Sequence, residues 1–352
     1  MRVGRSIVVA LVVLAGLAGC GCDDGDAAPP ATTTSTTAAP TYPDDVAARP
    51  SPGCGSTTVA APVERERHDV TIGGEPRWYL LSVPSGHDGT TPLPLVVELH
   101  GLAEGASIAA QMSNIDHFGE TEGFVSVFPN GSGSPVRWDQ HLDSEPNLDF
   151  ELLTTMLDTL EADLCIDEAR VYVTGLSYGA IMSSALACTM ADRFAAIAAV
   201  AGVEHPDACA PSRPVPVLAF HGTADPILYF NGGVGDLGAA LGGGTLEPPD
   251  EPVDLHGAGY PAAVQAWAEA DGCDPASTDE HTSEHVIVRT YDCPADAEVR
   301  FVIIEGGGHS WPNSDLSAAI ADVVGPTTTE IDATQEIWHF FERHALAAAA
   351  AG

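Results

Sequence analysis

Residues 171–182 read VYVTGLSYGAIM. A β-branched run, Val171 to Thr174, ends abruptly at Gly175-Leu176-Ser177-Tyr178-Gly179, and small residues follow. The composition passes from strand-like to helix-like across that bend. G-x-S-x-G between a strand and a helix is the pattern of a nucleophile elbow, a tight turn that lifts a serine hydroxyl above a sheet. Side chains at 175 and 179 would collide in such a turn, so glycine suits both positions. The turn also sets Ser177 at the positive end of a helix, where a developing anion is favoured. The plain alternative is a serine N-cap between two convenient glycines, and the pentapeptide alone does not separate the two.

Working outward, strand-like and helix-like segments alternate from about Val63 onward. Strands are expected at 68–72 and 77–83, joined at Gly73-Gly74, and at 95–99, 124–128, 171–174, 195–200, 215–220, 286–291 and 299–304. Helices are expected at 108–122, 149–164, 177–189, 261–270 and 331–344. The clearest carries Phe150, Leu153, Met156, Leu157, Leu160 and Leu164 along one face at steps of three and four. Pro261 suits a first helical position. Strands alternating with crossover helices predict an α/β chain with a mainly parallel sheet covered on both faces, in a single domain over 53–346. The glycine-rich stretch Asn231 to Gly259 reads as a long loop at the rim of a site.

A serine nucleophile needs a base, and the base an orienting acid. In this architecture both follow the serine, acid first and histidine last, each after a strand. Asp225 is the first acid beyond the strand ending at Phe220, in HGTADP. His309 is the first histidine beyond the strand ending at Ile304, in EGGGHSWP. The chain has 13 histidines, and only position sets His309 apart. His221 precedes the acid and reads as a structural neighbour. The oxyanion needs two donors: the backbone N–H of Tyr178, and one from the loop after Leu99-His100. That second donor is assigned to Leu102, with Gly101 the rival.

Thirteen arginines, no lysine and 50 acidic residues give a formal net charge of −37. Such a chain should avoid nucleic acid and bare anionic lipid. Absent lysine removes Ser-Lys dyads and Schiff-base chemistry. Arg2 and Arg5 precede an apolar run, Ile7 to Leu17, that is short for a membrane span, and Leu17-Ala18-Gly19-Cys20 follows. LAGC resembles the bacterial lipobox, which implies a signal peptide at 1–19 and a diacylglyceryl group on Cys20 as a membrane anchor; a secretion signal with a chance cysteine is the alternative. Residues 20–52, rich in threonine, alanine and proline, read as a disordered tether, and 347–352 as a frayed tail. Six cysteines fall in the body, where an oxidising compartment favours disulfides. Cys273 and Cys293 bracket one short segment and are expected to pair; Cys188 with Cys209 and Cys54 with Cys165 is the guess for the rest. His281 and His285 have helical i,i+4 spacing but no matching pair, so they read as surface residues, and no metal site is expected.

With these residues in place, the body resembles the extracellular polyhydroxybutyrate depolymerase and feruloyl/acetylxylan esterase group of α/β-hydrolases. The matching stretches are LVVELHG (95–101), CIDEARVYVTGLSYGAIMSSALAC (165–188), PVPVLAFHGTADPI (214–227) and EGGGHSWP (305–312). The resemblance implies an extracytoplasmic serine carboxylesterase without metal or cofactor, with the triad Ser177, Asp225 and His309. The family often has Asn or Ala after the serine, where this chain has Tyr178. Trp311, close after His309, is the better candidate for substrate contact; Trp138 reads equally as packing or as an apolar wall for a sugar or aromatic ring. A peptidase of the same fold and a non-catalytic wall-binding lipoprotein are the rival readings.

Overall fold

The computed structural model describes residues 46–56, 61–236 and 252–347. The expected signal peptide, Cys20 and the tail beyond Ala347 lie outside the described residues. The strands are β1 (Val63–Ile72), β2 (Glu75–Val83), β3 (Leu93–Leu99), β4 (Val125–Pro129), β5 (Ile166–Leu176), β6 (Ala196–Val200), β7 (Val217–Gly222), β8 (Ser277–His281), β9 (Val286–Tyr291) and β10 (Val299–Ile304). The helices are α1 (Ala106–Ser113), α2 (Ile115–Glu122), α3 (Leu148–Asp163), α4 (Tyr178–Thr189), α5 (Tyr260–Ala270), α6 (Asp315–Ala319), α7 (Ala321–Val324) and α8 (Ala333–Phe341).

All the strands join one sheet in the order β1-β2-β4-β3-β5-β6-β7-β10-β9-β8. From β4 to β10 the neighbours run parallel. The two ends, β1-β2-β4 and β10-β9-β8, are antiparallel. Central strands such as AIAAV (196–200) are buried throughout, because helices cover both faces. On one face Leu153 and Met156 of α3, Met182 of α4 and Trp267 of α5 close over the sheet. On the other Ala110 of α1, Ile115 of α2 and Ile337, Trp338 and Phe341 of α8 do the same. This is an α/β-hydrolase fold. The parallel strands present their C-terminal ends along one edge, where such sheets place their sites.

The expected helix over 108–122 is broken. Asn114 adopts φ 50° and ψ 30°, donating its N–H to Ala110 and ending α1 before α2 begins. Asparagine tolerates this left-handed conformation better than most residues. β8 was not anticipated, and it corrects the helical spacing read at His281 and His285. His281 ends that exposed edge strand, and His285 lies in the turn before β9, with Nδ1 2.6 Å from Glu330. Its sequence STDEH lacks an apolar face, and its acidic residues discourage further strand pairing at the sheet edge.

The proposed tether over 20–52 also needs correction at its end, because residues 46–52 are described as part of the body. The Arg49 amide donates to Asp167 at 2.8 Å, Pro50 bridges Asp167, and the Ser51 hydroxyl donates to the Leu164 carbonyl at 2.7 Å. The three disulfides are Cys54–Cys165, Cys188–Cys209 and Cys273–Cys293. Among the described residues no helix is long and apolar enough to cross a membrane.

Candidate active site

Ser177 sits between β5 and α4 with φ 57° and ψ −117°, a conformation that costs a non-glycine residue about 1–3 kcal/mol. Tight packing holds it there. A Cβ on Gly179 would lie 2.0 Å from the Leu99 carbonyl oxygen, and one on Gly175 2.6 Å from the Gly179 backbone. A third glycine, which the pentapeptide does not reveal, completes the cradle: a Cβ on Gly202 would lie 2.4 Å from the Ser177 carbonyl oxygen. The Ser177 amide donates to Val200 at 2.8 Å, fastening the turn to β6. Its side chain makes no capping hydrogen bond to α4, so the N-cap alternative has no support here.

Asp225 follows β7 and is fully buried. Its Oδ1 accepts from the amides of Ile227 and Leu228, both at 2.8 Å. Its Oδ2 lies 2.7 Å from Nδ1 of His309 and 3.2 Å from Nε2 of His221. Burial alone would raise this carboxyl, but the charge of His309 and hydrogen bonds from His221 and His309 outweigh it and hold it well below the usual carboxylate range. For His309 the signs reverse. Burial would lower the imidazole, and the Asp225 charge and hydrogen bond, with a smaller push from Glu104, raise it above its ordinary value. With Nδ1 donating to Asp225, the neutral imidazole leaves Nε2 as its basic atom.

The two loops are laced together. The Ala224 amide donates to Gly307 at 2.9 Å, the Gly306 amide to the Thr223 hydroxyl at 2.8 Å, and the His309 amide to Val324 at 2.6 Å. A Cβ on Gly222 or Gly308 would lie 2.2 Å from a backbone oxygen, so the glycines of EGGGHSWP permit this approach. His221 packs its ring on Tyr260 with centroids 3.7 Å apart and reaches the Leu228 carbonyl at 2.8 Å, as a neighbour supporting the acid loop.

The loop after β3 is clamped from several sides. His100 Nδ1 lies 2.7 Å from the Gly101 carbonyl, and the Gly131 amide donates to its Nε2 at 2.9 Å. These partners fix a neutral imidazole with the proton on Nδ1, and burial pushes its pKa down to about 4. The Trp138 indole donates to the His100 carbonyl at 2.8 Å, and the Ala103 amide donates to Val136 at 2.8 Å. Glu104 Oε2 accepts from the Gly101 amide at 2.7 Å, which engages the rival oxyanion donor. Among the described residues nothing in the protein accepts a hydrogen bond from the Leu102 amide.

Ser177, Tyr178, His309 and Leu102 line one cavity of about 670 Å³. Its walls are largely apolar, with Met112, Ile181, Val203, Ile227, Leu228 and Ile320 among them. Glu104, Glu204 and Tyr260 also reach it, and the sequence reading missed all three. Glu204 had one available signal: it lies just beyond the C-terminal end of β6, on the site edge of the sheet. Trp138 and Trp311 do not line this cavity, which corrects the expectation of substrate contact for Trp311 and leaves Trp138 with the packing half of its two readings. Both are at most 2% exposed, since each ring fills core and each indole N–H has an internal partner. Trp311 donates to the Thr334 hydroxyl at 3.0 Å, tying the His309 loop to α8. Among the described residues one trio, Glu64, Asp116 and His117, has the proximity of metal ligands. None of the three lines the cavity, and Asp116 is already bound by Arg65.

The fold defines the class, that of the α/β-hydrolases, and the proteins this chain resembles there are esterases. Residues 78–239 match the model of the family described as Esterase PHB depolymerase. Over 347 residues the chain is 29% identical to NocK of Nocardia uniformis subsp. tsuyamanensis, which carries the name of an esterase, spanning 94% of this chain and 95% of that one. It is 25% identical to feruloyl esterase B of Piromyces equi over 66% of this chain and 42% of the relative. It is 29% identical to feruloyl esterase C of Emericella nidulans over 59% of this chain and 74% of the relative. The acetyl xylan esterase from Aspergillus awamori superposes with a TM-score of 0.51 at 17% identity, covering 70% of this chain and 94% of that structure, a likeness of fold.

Proposed function

We propose that this chain is an extracytoplasmic serine ester hydrolase that works through Ser177, His309 and Asp225 by way of an acyl-enzyme. The observation that carries the reading is the 2.7 Å contact between Asp225 and His309, with His309 and Ser177 lining one cavity. His309 Nε2 takes the Ser177 proton as the hydroxyl oxygen attacks the ester carbonyl carbon. The amides of Tyr178 and Leu102 receive the oxyanion. The imidazolium returns the proton to the leaving alcohol, and Asp225 stabilises it meanwhile. Water, deprotonated by His309, then attacks the acyl carbon and frees Ser177 and the acid. The substrates are feruloyl- or acetyl-type carbohydrate esters or hydroxyalkanoate esters, a reading supported by the names of the relatives.

The test is Ser177→Ala on p-nitrophenyl acetate. Loss of about 10⁴-fold or more in kcat is expected. Activity within tenfold of the parent, in a protein that melts normally, would remove the mechanism. We also propose anchoring through a diacylglyceryl group on Cys20, resting on the LAGC sequence. Metabolic labelling with palmitate that is lost in Cys20→Ala supports it, and an unlabelled parent refutes it.

A further inference from the structure

The charged groups on the cavity wall have a one-sided character. Glu104 and Glu204 line it, and among the described residues no arginine does. The chain has no lysine, and no arginine occurs between Arg213 and Arg289, the stretch that supplies the wall from Ile227 to Ala263. Neither carboxylate has an ion-pair partner within hydrogen-bond distance among the described residues. Glu104 is held by the Gly101 amide alone, and the His309 imidazole, whose charge when protonated would favour it, is already bound to Asp225. Glu204 is fixed through its backbone, whose amide donates to the Ser184 hydroxyl at 3.1 Å and whose carbonyl accepts from the Trp267 indole at 2.7 Å. That leaves its side chain at the cavity wall. Burial raises the Glu104 carboxyl above its ordinary value, and Glu204, which stays exposed at the cavity rim, is raised by the partial burial it has.

Resting on the esterase reading above, we propose that this cavity sorts esters by charge, admitting those uncharged around the scissile bond and rejecting those that carry a free carboxylate on the acyl side. An anionic acyl chain entering among apolar walls would lose hydration, gain no arginine or lysine, and face two carboxylates. A feruloyl or acetyl group on a sugar brings no charge. A hydroxyalkanoate oligomer carries its terminal acid on the alcohol side of the ester that is cut, so its acyl group is uncharged as well. Glu204 is thereby a specificity-determining residue, and the acid product is repelled as it forms.

The experiment compares p-nitrophenyl butyrate with p-nitrophenyl hemiglutarate, a close match in acyl length that adds a carboxylate. Rates are corrected for alkaline hydrolysis and measured at about 0.5 M NaCl, where the long-range field of the acidic chain is screened. In the parent, kcat/KM is expected to favour the neutral ester by about thirtyfold, equivalent to about 2 kcal/mol. Glu204→Gln should shrink that ratio about fivefold, and Glu204→Arg should shrink it further. A parental ratio under threefold, or a ratio unchanged within twofold in both variants, overturns the proposal. In that case, Ser177→Ala still abolishing turnover of the butyrate leaves the esterase reading standing. No turnover of either ester by the parent removes both.

Discussion

Nδ1 of His309 lies 2.7 Å from Oδ2 of Asp225, while Oδ1 of the same carboxylate is held by two backbone amides. The acid therefore cannot swing to meet the base; the base is oriented by an acid already fixed. The pairing also raises the imidazole pKa, against the opposing effect of burial. A general base must be unprotonated to act, so raising its pKa shifts the loss of activity toward higher pH. The acid limb of kcat/KM should have its midpoint above about 6.5, the ordinary imidazole value. Asp225→Asn removes the charge, so the midpoint should move down while kcat falls by about 10⁴-fold. A pH–rate profile of the variant checks both, and an unmoved midpoint would contradict the assignment.

Gly179 and Gly74 separate close approach from backbone conformation. A Cβ at 179 meets the Leu99 carbonyl at 2.0 Å, whereas one at 74, with φ 86°, meets nothing within 4 Å. Gly179→Ala should displace the elbow and lower kcat/KM by about 100-fold or more, the scale expected of a 1 Å misplacement. Gly74→Ala should cost about 1 kcal/mol from its left-handed turn and leave ester turnover intact. Thermal melts and p-nitrophenyl acetate assays on the two proteins give the comparison.

Trp138→Phe tests the clamp behind the oxyanion loop. The change removes the indole N–H that the His100 carbonyl accepts, leaving a buried acceptor unpaired at a cost of about 1–3 kcal/mol in stability. Because the ring does not line the cavity, KM should hold while kcat drops about tenfold as Leu102 loses its alignment. A change confined to KM would instead return Trp138 to substrate contact.

These residues show what a sequence reveals and what it hides. The elbow was legible because its glycines and serine are contiguous and a strand and a helix flank them. Asp225 and His309 could be proposed because the fold imposes an order along the chain. Trp311 was misplaced, and Trp138 left open, because an aromatic near a site in sequence can turn inward, and whether an indole N–H finds an internal partner is a tertiary fact. Gly202, Glu104 and Glu204 carry no local pattern, since each meets the site through a distant neighbour. The break at Asn114 was hidden because one left-handed residue does not interrupt the apolar periodicity on either side. β8 was hidden because an exposed edge strand needs no alternation.

The disulfides should differ in what they contribute. Cys54–Cys165 closes a separation of 111 residues and Cys273–Cys293 one of 20. On the chain-entropy account the first stabilises by about 4.7 kcal/mol and the second by about 3 kcal/mol. Paired serine substitutions at 54 and 165 should therefore lower the melting temperature more than those at 273 and 293. None of these four residues lines the cavity, so turnover at 25 °C should survive in both variants. Equal melting temperatures would show that the entropic account fails here.

The place where residues 49–54 join the body has a mechanical consequence. Pro50 and Cys54 are fastened at the beginning of β5, and Ser177 follows its last residue; Ile166 and Gly175 of that strand pair with Leu93 and Leu99 of β3, six residues apart, so its length separates them by about 20 Å. Traction on the polypeptide ahead of Val46 would thus be delivered to the end of the strand remote from the nucleophile. It would be resisted in shear by the ladders to β3 and β6 on either side. The hydrolase can be hauled by that end without its reactive edge bearing the load.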